Sequence, residues 1–241
     1  MNKYILADMI TPILKKEMNL VDYPLPEELR VREGEHPNFG KVFETASRYK
    51  ADKTKRVAFT RLDFGGAFVG SVAMIFGGDE YDFPYVIETL CFVPGEGGKD
   101  KIFAEFDAMP LVKDEESMRK YVEPLRGWRE AIDKLPSEPV SGLGKPGEFI
   151  LDSVSQIEVL RFIPIDYLDE VLDLSKQFWE IALDFWRKAE PVKDIQRMEK
   201  INAYRGEYNR HILEEDPTGQ FNVEVFGREK ALLYFDNLAF V

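Results

Sequence analysis

Asp107 is the residue whose sequence neighbours most favour acid chemistry. Phe106 precedes it, Ala108 and Met109 follow it, and Pro110 lies three residues further on. A carboxyl group in apolar surroundings has its charged form disfavoured, so its pKa rises and it can hold a proton for delivery to a substrate. An aspartate that caps a following helix would occupy the same place in a sequence. Residue type alone leaves both interpretations open.

Other kinds of catalytic site have less support in the sequence. It contains none of the common nucleotide-binding or serine-hydrolase motifs. Its one cysteine, Cys91, excludes an internal disulfide framework and metal sites with several cysteine ligands. Its two histidines, His36 and His211, belong to no metal-binding motif. We therefore expect no metal site, and a single cysteine fits a reducing, cytoplasmic compartment.

Asp107 closes the last of four predicted strands that follow one another along the chain. The turn-forming sequences DFGG, FGGDEYDFP and PGEGGKD join these strands, and connections this short favour antiparallel neighbours. One more strand is predicted before this meander and one after it. The six predicted strands are Val42–Tyr49, Arg56–Leu62, Ala67–Phe76, Tyr85–Val93, Lys101–Phe106 and Ser153–Ile163.

Apolar residues recur at helical spacing before, between and after the strands. Helices are predicted at Lys3–Met18, at Lys113–Leu135, from Asp166 or Asp169 to Lys188, at Asp194–Leu213, and as one or two short helices in Phe221–Val241, with a loop at Pro136–Gly147. Runs of strands and runs of helices predict an α+β protein, here a three-layer α/β/α sandwich with a central antiparallel β-sheet. No linker divides the chain, so one domain is expected over residues 1–241.

The helix predicted at Asp194–Leu213 is more polar than the others. Tyr204, Tyr208 and His211 lie on related turns of it, as they would on a solvated face or on the wall of a polar cavity. General patterning of surface helices favours solvent.

The acidic composition limits the partners that this chain can bind. Its net charge is −12 over 241 residues, which argues against nucleic acid and anionic membranes. No stretch of about 18 uninterrupted apolar residues predicts a membrane span. We expect a soluble monomer.

The C-terminal sequence EEDPTGQFNVEVFG, residues 214–227, resembles the ending of the ferredoxin-dependent bilin reductases. In that family an Asn-Asp pair, one further residue, a Thr, a short helix and a Phe-Gly pair recur. The matching places hold Glu215-Asp216, Thr218 and Phe226-Gly227, without a gap.

Three further segments agree with the same family in the same order. FGGDEYDFP, residues 76–84, is similar to the family's strand-turn-strand. DAMP, residues 107–110, matches its Asp-x-x-Pro, and Phe162-Ile163-Pro164 is close to its entry to the long helix. The similarity runs from about residue 55 to the C-terminus.

This resemblance implies an open-chain tetrapyrrole held between the sheet and the C-terminal helices. It implies reduction of biliverdin or a related bilin in two-electron stages, by single electrons from reduced ferredoxin or a flavodoxin, through substrate radicals and with no bound metal or flavin. Asp107 would be the central proton donor and Asp216 the second acid. The protein then supplies positions and protons, since an extended π-system accepts electrons readily.

Residues that would bind the substrate are predicted near the walls of this site. The two propionates of a bilin need cations or amides, and Arg61, Arg161, Arg205 and Arg210 are the candidates. Glu88 lies in the strand that carries a histidine in some family members, although it is not a matching residue.

The chain also departs from the family pattern. Gly219-Gln220 stands where the family usually has Arg-Arg, which removes two cations. The acidic chain would need a local basic surface for an acidic ferredoxin, and Lys50–Arg61 is its densest basic stretch. Three alternatives therefore stay open: a tetrapyrrole-binding protein without catalysis, a reductase of another open-chain tetrapyrrole, and an unrelated α+β protein with structural aspartates.

Overall fold

In the part of the chain that the structure describes, the protein folds around one antiparallel sheet of nine strands. The structure is a computed structural model that describes residues 3–140 and 144–240. The strands pair in the order β1-β3-β4-β5-β6-β7-β9-β8, and β2 also pairs with β3. They are β1 (Val21–Asp22), β2 (Val31–His36), β3 (Gly40–Lys50), β4 (Thr54–Phe64), β5 (Phe68–Gly77), β6 (Tyr85–Val93), β7 (Lys101–Met109), β8 (Glu138–Pro139) and β9 (Val159–Pro164).

Helices precede the sheet, interrupt it and follow it. The α-helices are α1 (Ile5–Glu17), α2 (Glu27–Arg30), α3 (Glu115–Ser117), α4 (Arg126–Ile132), α5 (Glu148–Ser153), α6 (Leu168–Lys188), α7 (Ile195–Glu215), α8 (Pro217–Phe226) and α9 (Arg228–Tyr234). A π turn (Met118–Val122) and a 3₁₀ turn (Glu123–Leu125) join α3 to α4, and a π turn (Phe235–Ala239) follows α9. The α+β class with an antiparallel sheet is confirmed.

Alternation along the strands gives the sheet two apolar faces, because successive side chains of a strand point to opposite sides. In β4, Val57 packs into one apolar cluster and Ala58 into another. The first cluster includes α1, the segment from α3 to α4 and α6, and we call this side the α6 face. The second includes α2, α5, α7 and α9, and we call this side the α7 face. Helical layers therefore cover both faces of the sheet.

Three local predictions differ from the structure. Strand β7 continues through Asp107 to Met109, because Ile87 and Tyr85 of β6 pair with these two residues. Charged β2 was not predicted as a strand and is stabilised by its pairing with β3. Helix α5 was not predicted: it fills the gap between the predicted loop, which ends at Gly147, and the predicted strand, and it includes Ser153, where that strand was expected to begin.

Most other predicted elements are confirmed with shifted ends. The last predicted strand, Ser153–Ile163, begins at Val159 instead. The predicted C-terminal helices correspond to α8, α9 and the π turn after them. Residues 141–143 of the predicted loop and Val241 of the predicted tail lie outside the described residues. The single-domain assignment stays a prediction.

Within residues 3–140 and 144–240, every helix is too short or too polar to cross a membrane.

Glu88 lies on the α6 face, where it is fully buried. Its Oε2 accepts a hydrogen bond from the indole Nε1 of Trp179, and the hydroxyl of Ser175 also lies near its carboxyl group. Burial raises the pKa of Glu88 to about 8. The folded protein therefore holds a proton on Glu88 at neutral pH that the unfolded chain releases.

Replacing Glu88 with Gln tests this assignment through the pH dependence of stability. Between the unfolded pKa of about 4.3 and the folded pKa of about 8, the wild-type free energy of unfolding falls by as much as about 1.4 kcal/mol per pH unit through this group. Glu88→Gln removes that slope, so its stability advantage over wild type grows from pH 5 to pH 8. Urea unfolding at several pH values measures the difference in free energy of unfolding between Glu88→Gln and wild type.

The control for this experiment is Glu180→Gln, at an exposed position beside Trp179 on the same helix. It should leave the wild-type pH dependence unchanged. An identical pH dependence for Glu88→Gln and wild type would contradict a buried, neutral Glu88.

Candidate functional site

Asp107 is anchored to the segment that follows α5. Its side chain is 5% exposed, and Asp107 Oδ2 accepts a 3.0 Å hydrogen bond from the backbone N–H of Ser155 while Oδ1 accepts one from the Ser155 hydroxyl. Burial raises the pKa of Asp107 to about 6, although these hydrogen bonds oppose the rise by stabilising the charged form. Asp107 caps no helix; Asp114 caps α3 instead.

Glu105 lies two residues before Asp107 on the same strand and therefore faces the same way. Thr89 lies opposite it on β6, and the Thr89 hydroxyl donates a 2.6 Å hydrogen bond to Glu105 Oε2. Burial raises the pKa of Glu105 to about 7, and the negative charges of Asp216, Glu158 and Asp107 add to the rise. Glu105 was not predicted from the sequence, although the alternation of side chains along a predicted strand places it on the same face as Asp107.

Asp216 and Glu158 complete a group of four acids. Asp216 begins α8, where its Oδ1 accepts hydrogen bonds from the backbone N–H groups of Thr218 at 2.7 Å and Gly219 at 3.3 Å. Burial raises the pKa of Asp216. Burial raises the pKa of Glu158 to about 7, with further contributions from the charges of Asp107 and Asp216. We call Glu105, Asp107, Glu158 and Asp216 the acid cluster.

Aromatic side chains form a wall beside the acid cluster. Tyr85 of β6 stacks on Phe76 with ring centroids 4.6 Å apart and meets Tyr208 of α7 edge-on at 6.1 Å. Tyr208 stacks on Tyr204 at 6.2 Å, and the Tyr204 hydroxyl lies 3.2 Å from Met109 Sδ. The preference for a solvated face on this helix was wrong for these two tyrosines, because α7 turns them toward the sheet.

Three of the residues predicted to bind substrate lie on the opposite face of the sheet. Glu88 pairs with Phe106, an α6-face residue, in the strand register. Arg61 forms an ion pair with Asp8 of α1, and Arg161 forms one with Asp133 at 2.6 Å. The sheet separates these three side chains from the acid cluster, because even a one-residue offset in a strand reverses the face.

The two other predicted arginines are on α7 but have different surroundings. Arg205 is buried and donates to the backbone carbonyls of Gly78, Asp79 and Tyr81 in the turn between β5 and β6. Arg210 is exposed and forms an ion pair with Glu207 at 2.5 Å. The structure does not bring either guanidinium together with the acid cluster.

The basic stretch predicted to meet ferredoxin does not form one exposed surface. Lys53 donates to the carbonyls of Trp186 and Arg187, and Arg56 is buried on the α7 face. No group of three or more His, Cys, Asp or Glu side chains is arranged as a metal site in the described ranges.

Comparisons with known proteins agree on one family. No protein-family model matches the chain. Curated relatives at 22% identity include the 15,16-dihydrobiliverdin:ferredoxin oxidoreductase of Gloeobacter violaceus, aligned over 76% of this chain and 72% of the relative. Another, at the same identity, is the phycoerythrobilin:ferredoxin oxidoreductase of Nostoc punctiforme, aligned over 97% of this chain and 90% of the relative.

A solved structure from the same group of proteins has a similar fold. The crystal structure of tomato phytochromobilin synthase in complex with biliverdin matches with a TM-score of 0.77 and 15% identity, covering 98% of this chain and 82% of that one. The resemblance to the ferredoxin-dependent bilin reductases is confirmed. These bilin reductases carry the names of different bilins, so the likeness leaves the choice of bilin open.

Replacing Thr89 with Val tests how Glu105 is held. The change removes the hydroxyl that donates to Glu105 and nearly keeps the shape of the side chain. A hydrogen bond to a carboxylate favours its charged form, so the pKa of Glu105 should rise above about 7, by about one unit. A carbon-13 NMR titration of the side-chain carboxyl measures the shift.

The control is Thr60→Val, because Thr60 lies on β4 and its hydroxyl is paired with that of Tyr234. This variant should leave the pKa of Glu105 unchanged. A Glu105 midpoint that is the same in Thr89→Val and wild type would show that the Thr89 hydrogen bond does not set the pKa of the acid.

Proposed function

We propose that this protein reduces a linear tetrapyrrole, biliverdin or a related bilin, with single electrons from ferredoxin. The main support for this proposal is the acid cluster, because its four carboxyl groups lie on the same side of the sheet as the aromatic wall and helix α7. The relatives named above are ferredoxin oxidoreductases that act on bilins, and the similar tomato enzyme was solved with biliverdin.

The reaction needs electrons and protons in equal number. Each two-electron stage takes one electron from each of two reduced ferredoxins and two protons, and it converts one C=C unit of the bilin to CH–CH. Single electrons pass through a substrate radical, which must be protonated at a chosen carbon. The protein therefore has to position the bilin and supply acids that are protonated near neutral pH.

The acid cluster suits this task through its pKa values. Asp107, with a pKa raised to about 6, acts as the central proton donor, and Asp216 acts as the second acid. Glu105, with a pKa raised to about 7, is close to half protonated at neutral pH, where general acids work best. We add it as a donor because it is less enclosed than Asp107, whose two oxygens are both engaged by Ser155.

The electron donor and the cofactor state belong to the same proposal. Ferredoxin, or a flavodoxin in its place, delivers the electrons from outside, and the protein carries no flavin or metal of its own. The acidic chain, at −12, makes docking to an acidic donor depend on local cations.

An anaerobic assay with biliverdin, ferredoxin, ferredoxin reductase and NADPH tests the function. Reduction should shift the visible absorption of the bilin as its conjugation shortens. A bilin that binds but is never reduced would instead identify a binding protein without catalysis. If no bilin binds, the unrelated α+β alternative is favoured.

Replacing the acids tests the mechanism. Glu105→Gln and Asp107→Asn each replace a carboxyl group, which can release a proton, by an amide of nearly the same size. The amide at position 107 can keep its contact with Ser155, because the Ser155 hydroxyl can accept as well as donate a hydrogen bond. Each variant should bind bilin nearly as wild type does and should turn over about 10²–10⁴-fold more slowly. A long-lived radical should appear by electron paramagnetic resonance after the first electron.

Asp152→Asn is the matched control, because Asp152 is an exposed acid on α5. It should keep the wild-type rate. If Glu105→Gln and Asp107→Asn also turn over at the wild-type rate, neither acid is a proton donor.

A further inference from the structure

Arg56 is a buried cation on the α7 face, and only one of its three guanidinium nitrogens has a hydrogen-bond partner among the described residues. It lies on β4 and is 4% exposed. Its Nη1 donates a 3.1 Å hydrogen bond to the carbonyl of Asp236 in the π turn Phe235–Ala239. Its Nε and Nη2 are buried and have no hydrogen-bond partner among the described residues.

No carboxylate in the described part of the chain forms an ion pair with Arg56, although the charge of Asp236 acts on it from a greater distance. Burial lowers the pKa of Arg56 to about 10, and the nearby positive charge of Arg48 adds to the effect, whereas Tyr85 and the charge of Asp236 oppose it. Two other arginines on this side of the sheet are buried to a similar degree among the described residues, and both have a carboxylate partner: Arg32 is paired with Glu44, and Arg205 lies 3.9 Å from Asp79. An unpaired buried guanidinium is costly, so the position points to an anion that the chain itself does not provide.

The two free groups of Arg56 match one kind of ligand. The N–H of Nε and one N–H of Nη2 point the same way on the planar guanidinium, and this pair binds both oxygens of a carboxylate. The remaining nitrogen, Nη1, is the one already held by Asp236. Recognition of a carboxylate therefore does not require Arg56 to give up its contact with the π turn.

Arg56 and the acid cluster lie at opposite ends of one row across the sheet. Arg56 pairs with Phe76 in the register of β4 and β5, and its Cζ lies 4.6 Å above the Phe76 ring. Phe76 stacks on Tyr85, which pairs with Met109. Asp107 is two residues from Met109, so three strand spacings, about 14 Å, separate the strand of Arg56 from that of the acids.

We infer that Arg56 is the subsite for a propionate carboxylate of the bilin, an inference that rests on the proposed function. The propionates are anionic and would be repelled by the acid cluster, whereas the pyrrole N–H groups can donate to it. A cation at one end of the row and acids at the other orient an extended tetrapyrrole in one direction. The buried rings of Phe76 and Tyr85 lie between them and make the middle of the row apolar.

Access to this subsite requires movement of the C-terminal turn. Arg56 is too enclosed for a ligand to reach it directly, and Phe235–Ala239 contributes to its cover through Asp236. The propionate enters beneath this turn and places its two oxygens on Nε and Nη2.

Biliverdin and its dimethyl ester distinguish this subsite from general tetrapyrrole binding, because the ester keeps the pyrroles and loses both anionic charges. Wild-type protein should bind biliverdin about 10- to 100-fold more tightly than the ester. Arg56→Met should lose most of that difference, with weaker binding of biliverdin and unchanged binding of the ester. Absorbance titration measures all four affinities.

Two further variants make the test decisive. Arg119→Met is the matched control, since Arg119 is exposed in the π turn Met118–Val122, and it should keep the wild-type preference for biliverdin. Arg56→Lys keeps a charge but not the paired donors, so its preference should lie between those of wild type and Arg56→Met. If thermal unfolding shows that Arg56→Met does not fold, Arg56→Lys replaces it as the test of the subsite.

The outcomes separate the subsite from the proposed function. Equal wild-type affinity for biliverdin and its ester, with biliverdin still reduced, would overturn the role of Arg56 and leave the reductase standing. Equal loss of both ligands in Arg56→Met would mean that Arg56 only supports the fold. If neither compound binds wild-type protein, both the function and the subsite fail.

Discussion

The burial of carboxyl groups on one face of the sheet is the constraint on which the site depends. Burial disfavours a charged carboxylate, and Glu105, Asp107 and Glu158 have pKa values between about 6 and about 7 as a result. Hydrogen bonds from Thr89 and Ser155 limit the rise. Without the helices of the α7 face over the sheet, these acids would be solvated and ionised at neutral pH.

The same helices determine what each acid can do. Asp216 is both a member of the acid cluster and the residue that begins α8, where backbone N–H groups stabilise its charge. Asp107 ties the segment after α5 to the sheet through Ser155. Glu105 contributes less to the structure, because within the described residues the Thr89 hydroxyl is its one hydrogen-bond donor. Structural and chemical roles are therefore combined to different degrees in the three acids.

The structure shows why a glycine fits at position 219, where the family usually has the first residue of an Arg-Arg pair. Gly219 lies in the first turn of α8, where a Cβ would stand 2.0 Å from the carbonyl oxygen of Ile212. A side chain therefore cannot be added here without moving α7 or α8. With no cations in this pair, the positive charge for the proposed anionic substrate would come from elsewhere, and Arg56 is a buried cation of the α7 face whose Nε and Nη2 have no hydrogen-bond partner among the described residues.

Much of the fold could be predicted from the sequence, because periodicity and turn residues are local signals. The central strands and the long helices follow apolar spacing. Strand β2 and helix α5 could not be found in this way, since β2 is polar and depends on its neighbour β3. In the site, the sequence neighbours of Asp107 identified it as a candidate, and the family resemblance added Asp216.

The face on which a strand residue lies was harder to predict. Arg61, Arg161 and Glu88 lie on strands of the same sheet as the site, but the register turns them to the α6 face. Arg56 was treated as part of an exposed basic stretch and is instead buried. Glu105 was overlooked beside Asp107, although a strand places these two side chains on one face.

A crystal structure of the protein with biliverdin tests the central claim most directly. The account predicts the bilin on the α7 face, with its pyrrole nitrogens toward Glu105 and Asp107 and the helices α7 and α8 above it. A bilin on the α6 face beside Glu88, or one bound on the outer surface away from the acid cluster, would contradict the account.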